Sequence, residues 1–396
     1  MDKVKFSNIE QHPLVKSRLS FAIDNMHVGI ANALRRVILS EIPNIAVGFD
    51  PYDKERDDCN FIINTSSLHN EFLGHRLSMI PINLPPHVID DFDPNEYKFV
   101  IDLKNEGAES LTVTTNNIRV YKNGIELTRE ESNKIFPPDE ITGDYIIITK
   151  LKPNLYDLRN GEKLHVEFKA RKGIAKHNAA WCPVSLCTYS FTVDEEAASK
   201  GLETIMASLE DPGERENARK VFMTLDRQRY YKPHSFTFAI QSECALTPTY
   251  IFSKAFDVLS DKLIQLASQT LDICEINGDQ NLYAITINGE DHTIGNLLQV
   301  MLYELYIQEK KEVTYAGYIM PHPLEQKLIL KVRFNKSVDV HAFFERILKE
   351  FASILKNIQT LWDQFVSEQN GKINKTTTDS TTLQQKAKRT VVRRKK

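Results

Sequence analysis

An α+β fold is predicted for this chain, built from two related dimerisation halves that close on each other as an intramolecular pseudo-dimer, with a mainly β domain inserted in the first half. Three features predict it. A strand, turn and helix motif is written twice; a run of alternating, turn-bounded segments separates the copies; and an apolar seam at heptad spacing closes each half.

The motif comes first. Ser20 to Ile38 reads SFAIDNMHVGIANALRRVI, and Ala284 to Leu302 reads AITINGEDHTIGNLLQVML. Phe21 and Ile23 align with Ile285 and Ile287 at strand period. Ile30, Leu34 and Ile38 align with Ile294, Leu298 and Leu302 on the apolar side of a helix. The opposite side of the first helix carries Asn32, Arg36 and Leu39 with Arg35 on its flank, where the second copy has Asn296, Val300, Tyr303 and Gln299. The copies are therefore related but not interchangeable. So long an offset between copies excludes a solenoid, whose period is shorter.

Residues 51–229 form the expected insert. Strands are predicted at Tyr97–Leu103, Leu111–Thr115, Ile118–Tyr121, Tyr145–Thr149 and Leu164–Ala170, with Asn123-Gly124 and Asn160-Gly161 as turns. Residues 195–228 read as one or two peripheral helices interrupted at Asp211-Pro212-Gly213. The first half is thus expected from 1–50 and 230–274, a linker at 275–281, and the second half at 282–366.

Each half ends in a seam. Phe252, Phe256, Leu259, Leu263, Leu266, Thr270 and Ile273 form the first; Phe344, Ile347, Phe351, Ile354, Ile358, Leu361 and Phe365 form the second at alternating spacings of three and four. Neither helix is stable with that stripe in water, and mutual packing across the pseudo-dimer is expected.

Formal net charge is −3. Residues 371–396 carry nine basic side chains against Asp379 alone, a net +8, so the preceding chain carries −11. Rich in Thr and Gln and poor in large apolar groups, the 367–396 segment is expected to be a disordered basic tail. The five cysteines are scattered, as in a reducing compartment. No apolar run has the length of a membrane helix, and MDKVKFSN does not read as a secretory leader, so an intracellular chain is expected.

Enzyme motifs are missing: there is no P-loop, GxGxxG, HExxH or GxSxG. Asp90, Asp91 and Asp93 read as a solvated acidic loop among prolines, short of the ligands a catalytic metal needs. His177, Cys182 and Cys187 supply three candidate zinc ligands where structural sites use four, and are read as packing around Trp181. No catalytic or metal-ligating residue is assigned.

GIANALRRVILSEIPNIAVG, Gly29 to Gly48, resembles the signature of the alpha-type subunits of multisubunit RNA polymerases: the bacterial alpha N-terminal domain, its archaeal D-type counterpart and the eukaryotic third-largest subunit. HNEFLGHRLSMIPI, His69 to Ile82, and ARKGIAKHNAAWCP, Ala170 to Pro183, resemble further motifs of that family. GEDHTIGNLLQVMLYE, Gly289 to Glu304, and YAGYIMPHPLEQKLILKV, Tyr315 to Val332, resemble the small partner, which is L-type in archaea and the eleventh subunit in eukaryotes. Together the resemblances cover about residues 15–365, and their order in one chain is similar to a fused alpha-like pair of the kind found in some large DNA viruses. With no cysteine between Cys59 and Cys182, the cysteine-rich metal loop of cellular relatives is not carried over.

The resemblance implies a non-catalytic assembly platform of a DNA-dependent RNA polymerase. Asn32, Arg35, Arg36 and Leu39, with Lys172, Lys176, His177 and Trp181, would dock large catalytic subunits. The pseudo-dimer interface would use Ile30, Leu34, Ile38, Ile294, Leu298 and Leu302 with the two seams. Implied partners are the largest and second-largest subunits and small zinc-binding subunits, with DNA reached only through the complex and no homodimer. No cofactor is expected on this chain, with magnesium and zinc confined to partners. A nucleus, a viral cytoplasmic replication site or a virion are the compartments implied. The alternative is a free-standing nucleic-acid-binding protein acting through its basic tail.

Overall fold

The computed structural model describes residues 4–276 and 280–393, with side chains described to residue 369 except that of Leu158. In chain order its strands and helices begin β1 (Lys5–Gln11), β2 (Arg18–Asp24), α1 (Val28–Ser40), β3 (Asn44–Ala46), β4 (Cys59–Asn64), α2 (Asn70–Ser78) and α3 (Pro86–Asp90). There follow β5 (Tyr97–Lys104), β6 (Leu111–Thr114), β7 (Arg119–Lys122), β8 (Ile125–Glu126), α4 (Arg129–Ile135), β9 (Ile147–Leu151), β10 (Lys163–Phe168) and β11 (Arg171–Gly173). Then come β12 (Val184–Val193), α5 (Glu195–Ala207), α6 (Pro212–Thr224), β13 (Tyr231–Ser242) and α7 (Pro248–Ser268). The last are β14 (Asp272–Glu275), β15 (Leu282–Asn288), α8 (His292–Met301) with a π-helical continuation Leu302–Glu309, β16 (Val313–Ile319), β17 (Lys327–Phe334) and α9 (Val340–Arg393). The backbone is 39% helical and 28% strand, a mixed composition. No helix among the described residues is long and apolar enough to cross a membrane.

The chain folds as two compact units: Met1–Arg35, Thr188–Ala239 and Phe252–Lys396 make the first, Arg36–Cys187 and Ile240–Ile251 the second. In the first, one sheet has the order β1-β2-β13-β12 and another the order β14-β15-β17-β16. The two sheets match strand for strand. The repeated motif supplies β2 and β15, and in each sheet the strand before it is the outer neighbour. The turn after each motif strand needs a left-handed residue, supplied by Asn25 (φ 62°) in one copy and Gly289 (φ 81°) at the equivalent position of the other. Each motif helix is then capped at the same place. The Nδ1 of His27 accepts from the Gly29 N–H at 3.0 Å, and the Asp291 carboxylate accepts from the Thr293 N–H at 2.8 Å.

Both seams are buried against an aromatic cluster. Phe21 of β2, Phe252 of α7 and Trp362 of α9 are each fully buried. The Trp362 ring lies 4.5 Å from that of Phe21, 4.7 Å from Phe252 and 5.1 Å from Phe6. Polar bonds register α9 on α7: Gln359 donates to the Ser253 carbonyl at 3.1 Å and to Asp257 at 2.9 Å, and Lys356 pairs with Asp257. The motif helices also meet, with Gly29 of α1 against Val300 of α8 and His27 3.8 Å from Glu304.

Several sequence expectations shift. Leu355 and Trp362 are fully buried where the heptad predicts Ile354 and Leu361; Ile354 is half-buried and Leu361 is 39% exposed. Phe344, Leu348, Phe351, Leu355, Ile358 and Trp362 are buried at spacings of four and three, with Ile347 beside them, so from Phe351 on the core takes the residue at i+4 where the seam predicts the one at i+3. Phe256, Leu259, Leu263 and Leu266 hold their places in the core, but α7 stops at Ser268. Exposed Thr270 is beyond it, and Ile273 belongs to β14, paired with Ile285. The expected linker 275–281 is therefore the connection inside the β14–β15 hairpin, with 277–279 outside the described residues. α7, this hairpin and the rest of the chain belong to one unit, from Phe252 onward. Likewise β12, α5 and α6 fall in the first unit, so its boundary comes before Thr188 rather than after 229. The segment expected to be a structureless tail is continuous with α9 as far as Arg393, since extending an existing helix avoids the cost of nucleation.

The second unit contains a five-stranded sheet, β4-β10-β5-β7-β8, and the two-stranded sheets β6-β9 and β3-β11. Every strand predicted between 97 and 170 is present within a few residues. β4 and α4 are additional. The core is aromatic, with Phe99 stacked 5.3 Å from Phe168 and edge-on 5.6 Å from Phe136. Asp90 ends the short helix α3 rather than sitting in a loop, while Asp91 and Asp93 are exposed beyond it.

Trp362→Ala should cost about 3–5 kcal/mol in chemical denaturation of the full chain. Because the stripe runs through Leu355, Leu355→Asp should destabilise far more than Ile354→Asp; equal costs would return Ile354 to the buried stripe. A pH effect follows from the α1 cap. Burial holds the His27 pKa below its ordinary 6.5, with Glu304 opposing and His234 assisting. A neutral folded imidazole against a protonating unfolded one gives stability that is present above about pH 6.5 and is lost as pH falls toward the folded value. Melting temperature should therefore drop between about pH 6.5 and 5.5, less so in His27→Asn, which keeps a cap acceptor without titrating. Equal drops would remove His27 as the cause.

Candidate docking site

On α1 the apolar stripe Ile30, Leu34, Val37 and Ile38 is buried, while Asn32, Arg35, Arg36 and Leu39 are half-buried on the remaining face. The Asn32 carbonyl oxygen accepts from Arg35 Nε at 3.1 Å and from a terminal guanidinium nitrogen at 3.0 Å. That fork fixes one arginine along the helix. In the second copy Ile294, Leu298 and Leu302 occupy the buried stripe, and Tyr303 is 47% exposed on the opposite side.

Within the second unit, the C-terminal end of α1 joins the Ala170–Pro183 loop. The Ser40 carbonyl accepts from the Lys176 N–H at 2.7 Å, and the Leu39 carbonyl accepts from the Cys182 thiol at 3.5 Å. β3, which follows α1, pairs antiparallel with β11, placing Ala46, Ile45 and Asn44 opposite Arg171, Lys172 and Gly173. Two motifs far apart in sequence thus build one structure. Trp181 folds back over β11, donating from its indole to the Arg171 carbonyl at 2.9 Å. Only glycine fits beneath it, since a Cβ on Gly173 would sit 2.5 Å from the ring.

The sequence-predicted residues Arg36, Leu39, Lys172, Lys176, His177 and Trp181 all belong to this unit. Lys172 is exposed and donates to the Asp90 carbonyl at 2.7 Å; His177 is exposed; Lys176 and Trp181 are half-buried. Asn32 and Arg35 lie on the preceding turn of the same helix, in the first unit.

Sequence reasoning missed the clamp that supports the loop. Arg171 grips Asp58 with two bonds, at 2.7 and 2.5 Å, and donates to the Glu55 carbonyl at 3.0 Å. Asp58 also accepts from the Gly48 N–H at 2.8 Å. Hydrogen bonding to this carboxylate, against partial burial, raises the Arg171 pKa and keeps the guanidinium charged. The adjacent acids Asp57 and Asp58 just before a strand-like CNFIIN run were the available signal, but their partner is over a hundred residues away.

The chemistry available here is that of a basic and aromatic surface on a braced loop. His177, Cys182 and Cys187 do not gather as ligands, and among the described residues no three His, Cys, Asp or Glu side chains form a metal-binding group. Cys182 instead binds backbone carbonyls.

The RNA polymerase Rpb3/Rpb11 dimerisation domain matches residues 20–263, and a second match to the same kind of domain covers residues 283–360. Among curated relatives, the Dictyostelium discoideum DNA-directed RNA polymerases I and III subunit rpac1 is 28% identical over 62% of this chain and 76% of its own length. The Schizosaccharomyces pombe RNA polymerase II subunit RPB3 is 24% identical over 70% of this chain and 95% of its own. The Methanothermobacter thermautotrophicus subunit Rpo3 is 23% identical over 65% and 96% respectively. With the first match alone spanning more than half of its length, the chain belongs to the RNA polymerase Rpb3/Rpb11 dimerisation-domain family, represented twice in one polypeptide.

Proposed function

We propose that this chain is the non-catalytic assembly platform of a multisubunit DNA-dependent RNA polymerase, carrying both members of the alpha-like pair closed as an intramolecular pseudo-dimer. The observation that carries the reading is the pair of sheets with matching strand order, each followed by a seam helix, in a chain matched twice by a dimerisation-domain family. The β-rich second unit is then the domain inserted in the first half. The chain is not an enzyme by itself. Its relatives are named as polymerase subunits, which favours this reading over a free-standing DNA binder.

On this reading α1 and the braced loop dock the second-largest subunit, and the second half docks the largest. Arginine suits the first contact because its planar fork pairs carboxylates and tolerates partial desolvation. Small zinc-binding subunits join the assembly and hold the zinc; magnesium belongs to the catalytic partners, and this chain binds no cofactor. DNA is met through the complex. A surface already occupied by the chain's own second half leaves none for a homodimer.

Affinity purification of the tagged chain from its native source should recover both large polymerase subunits by mass spectrometry, and recovery of neither would sink the reading. Arg35→Ala combined with Arg36→Ala should leave the melting temperature of the free chain nearly unchanged while weakening capture of the second-largest subunit by about 2–5 kcal/mol. Unchanged capture would make these arginines ordinary surface charges.

A further inference from the structure

Two thiols at the base of the docking loop have no part in the function proposed above. β12 and β13 are neighbours in a sheet, and contacts between them run in opposite senses: Thr192 with Ser235, Tyr189 with Phe238, Pro183 with Glu243. The strands are antiparallel. The Glu243 N–H donates to the Pro183 carbonyl at 3.0 Å. Cys182 lies two residues before β12 and Cys244 two residues after β13, each one residue beyond this bond, and Cys182 is near enough to act on the Cys244 thiol. Residues that continue an antiparallel pairing in this way have Cα atoms about 4.5–5.5 Å apart, inside the separation a disulfide spans. The Cys244 thiol lies 3.6 Å from the Pro183 carbonyl oxygen, and the Cys182 thiol 3.1 Å from that of Val184 and 3.5 Å from that of Leu39.

We propose that Cys182 and Cys244 are a dithiol modification site, oxidised to an intramolecular disulfide by a low-molecular-weight disulfide such as oxidised glutathione. Cys182, half-buried, loses its proton and attacks one glutathione sulfur; the glutathione S–S bond breaks and one glutathione thiolate leaves. Cys244 then loses its proton and attacks Cys182 Sγ, displacing the second glutathione. Two protein thiols are oxidised and one glutathione disulfide is reduced to two thiols. Closure is the slow step, because burial above all, with nearby Cys182 contributing, raises the Cys244 pKa. To reach Cys244, Cys182 Sγ turns from the Leu39 carbonyl, which removes one of the loop's two bonds to the end of α1 and leaves that from Lys176 to Ser40. The other cysteines lack this arrangement: Cys59 and Cys187 are buried and Cys274 is exposed on β14.

Reduced full-length chain incubated with oxidised glutathione, then alkylated and digested unreduced with chymotrypsin, separates Cys182 from Cys187 at Leu186. The expected product is one peptide pair joined through Cys182 and Cys244, with an intact mass lower by two hydrogens. Cys244→Ser should stop at a glutathione adduct on Cys182, and Cys182→Ser should give neither product. A stable glutathione adduct in the parent without closure, or a bridge to Cys187 instead, would overturn the proposal. The effect on docking rests on the function proposed above and has its own arm. Capture of the second-largest subunit should fall about tenfold on oxidation and recover with dithiothreitol. A disulfide that forms without altering capture would refute the coupling to docking and leave the dithiol established.

Discussion

The burial of Trp362 is the constraint on which the first unit depends. Its ring fills the space between Phe21 on the first motif strand, Phe252 on α7 and Phe6 on the outer strand, so one indole from α9 completes a core begun on β1. A sheet with one apolar face and a helix with one apolar stripe each need a cover. Here the cover for the first sheet includes the helix that closes the second. The polar bonds from Lys356 and Gln359 to Asp257 add direction to what apolar contact alone leaves loose.

The two copies keep the same sheet order but differ in what they hold between elements. Between α1 and β12 the chain makes nearly all of the second unit, whereas between α8 and β16 it makes only a π-helical continuation and a turn. Between β12 and β13 it adds α5 and α6, whereas β16 and β17 are joined by a short connection. The two copies thus share a strand order and differ in the length of chain between its strands. The charge difference follows the same division: Arg35 and Arg36 in one copy stand where Gln299 and Val300 stand in the other, and Val300 packs against Gly29.

Features carried by local pattern are readable in the sequence. The repeat, the strands of the insert and the break at Asp211-Pro212-Gly213 each depend on near neighbours, and each has its counterpart in the structure. What escapes depends on remote partners. In α9 both Ile354 and Leu355, and both Leu361 and Trp362, fit an apolar stripe by spacing, and the elements packed against the helix decide which of each pair is buried. β14 reads as helix because Ile273 continues the spacing of α7, while the opposing pull, pairing with Ile285, comes from another element. On the candidate site, Lys172, Lys176, His177 and Trp181 are named from their motif. Arg171 and Asp58, which support it, are not, because an ion pair across so long a separation leaves no periodic trace.

The division of labour at the α1 end follows from burial. Residues whose positions are settled by the chain itself, such as Ile30, Leu34 and Ile38, lose all exposure, whereas Asn32, Arg35, Arg36 and Leu39 retain part of theirs. The loop beyond them is braced by the Lys176 N–H on the Ser40 carbonyl and the Cys182 thiol on the Leu39 carbonyl, by the indole of Trp181 and by the Arg171–Asp58 clamp, so little ordering entropy would remain to be lost on the proposed docking. Joining both halves in one chain acts in the same direction. Their association becomes intramolecular, at an effective concentration of about millimolar or more for a short connection, so the proposed platform would be complete before any partner arrives. On the proposed docking reading, a surface ordered in advance by its own fold leaves its half-buried arginines to select the partner rather than to hold the fold together.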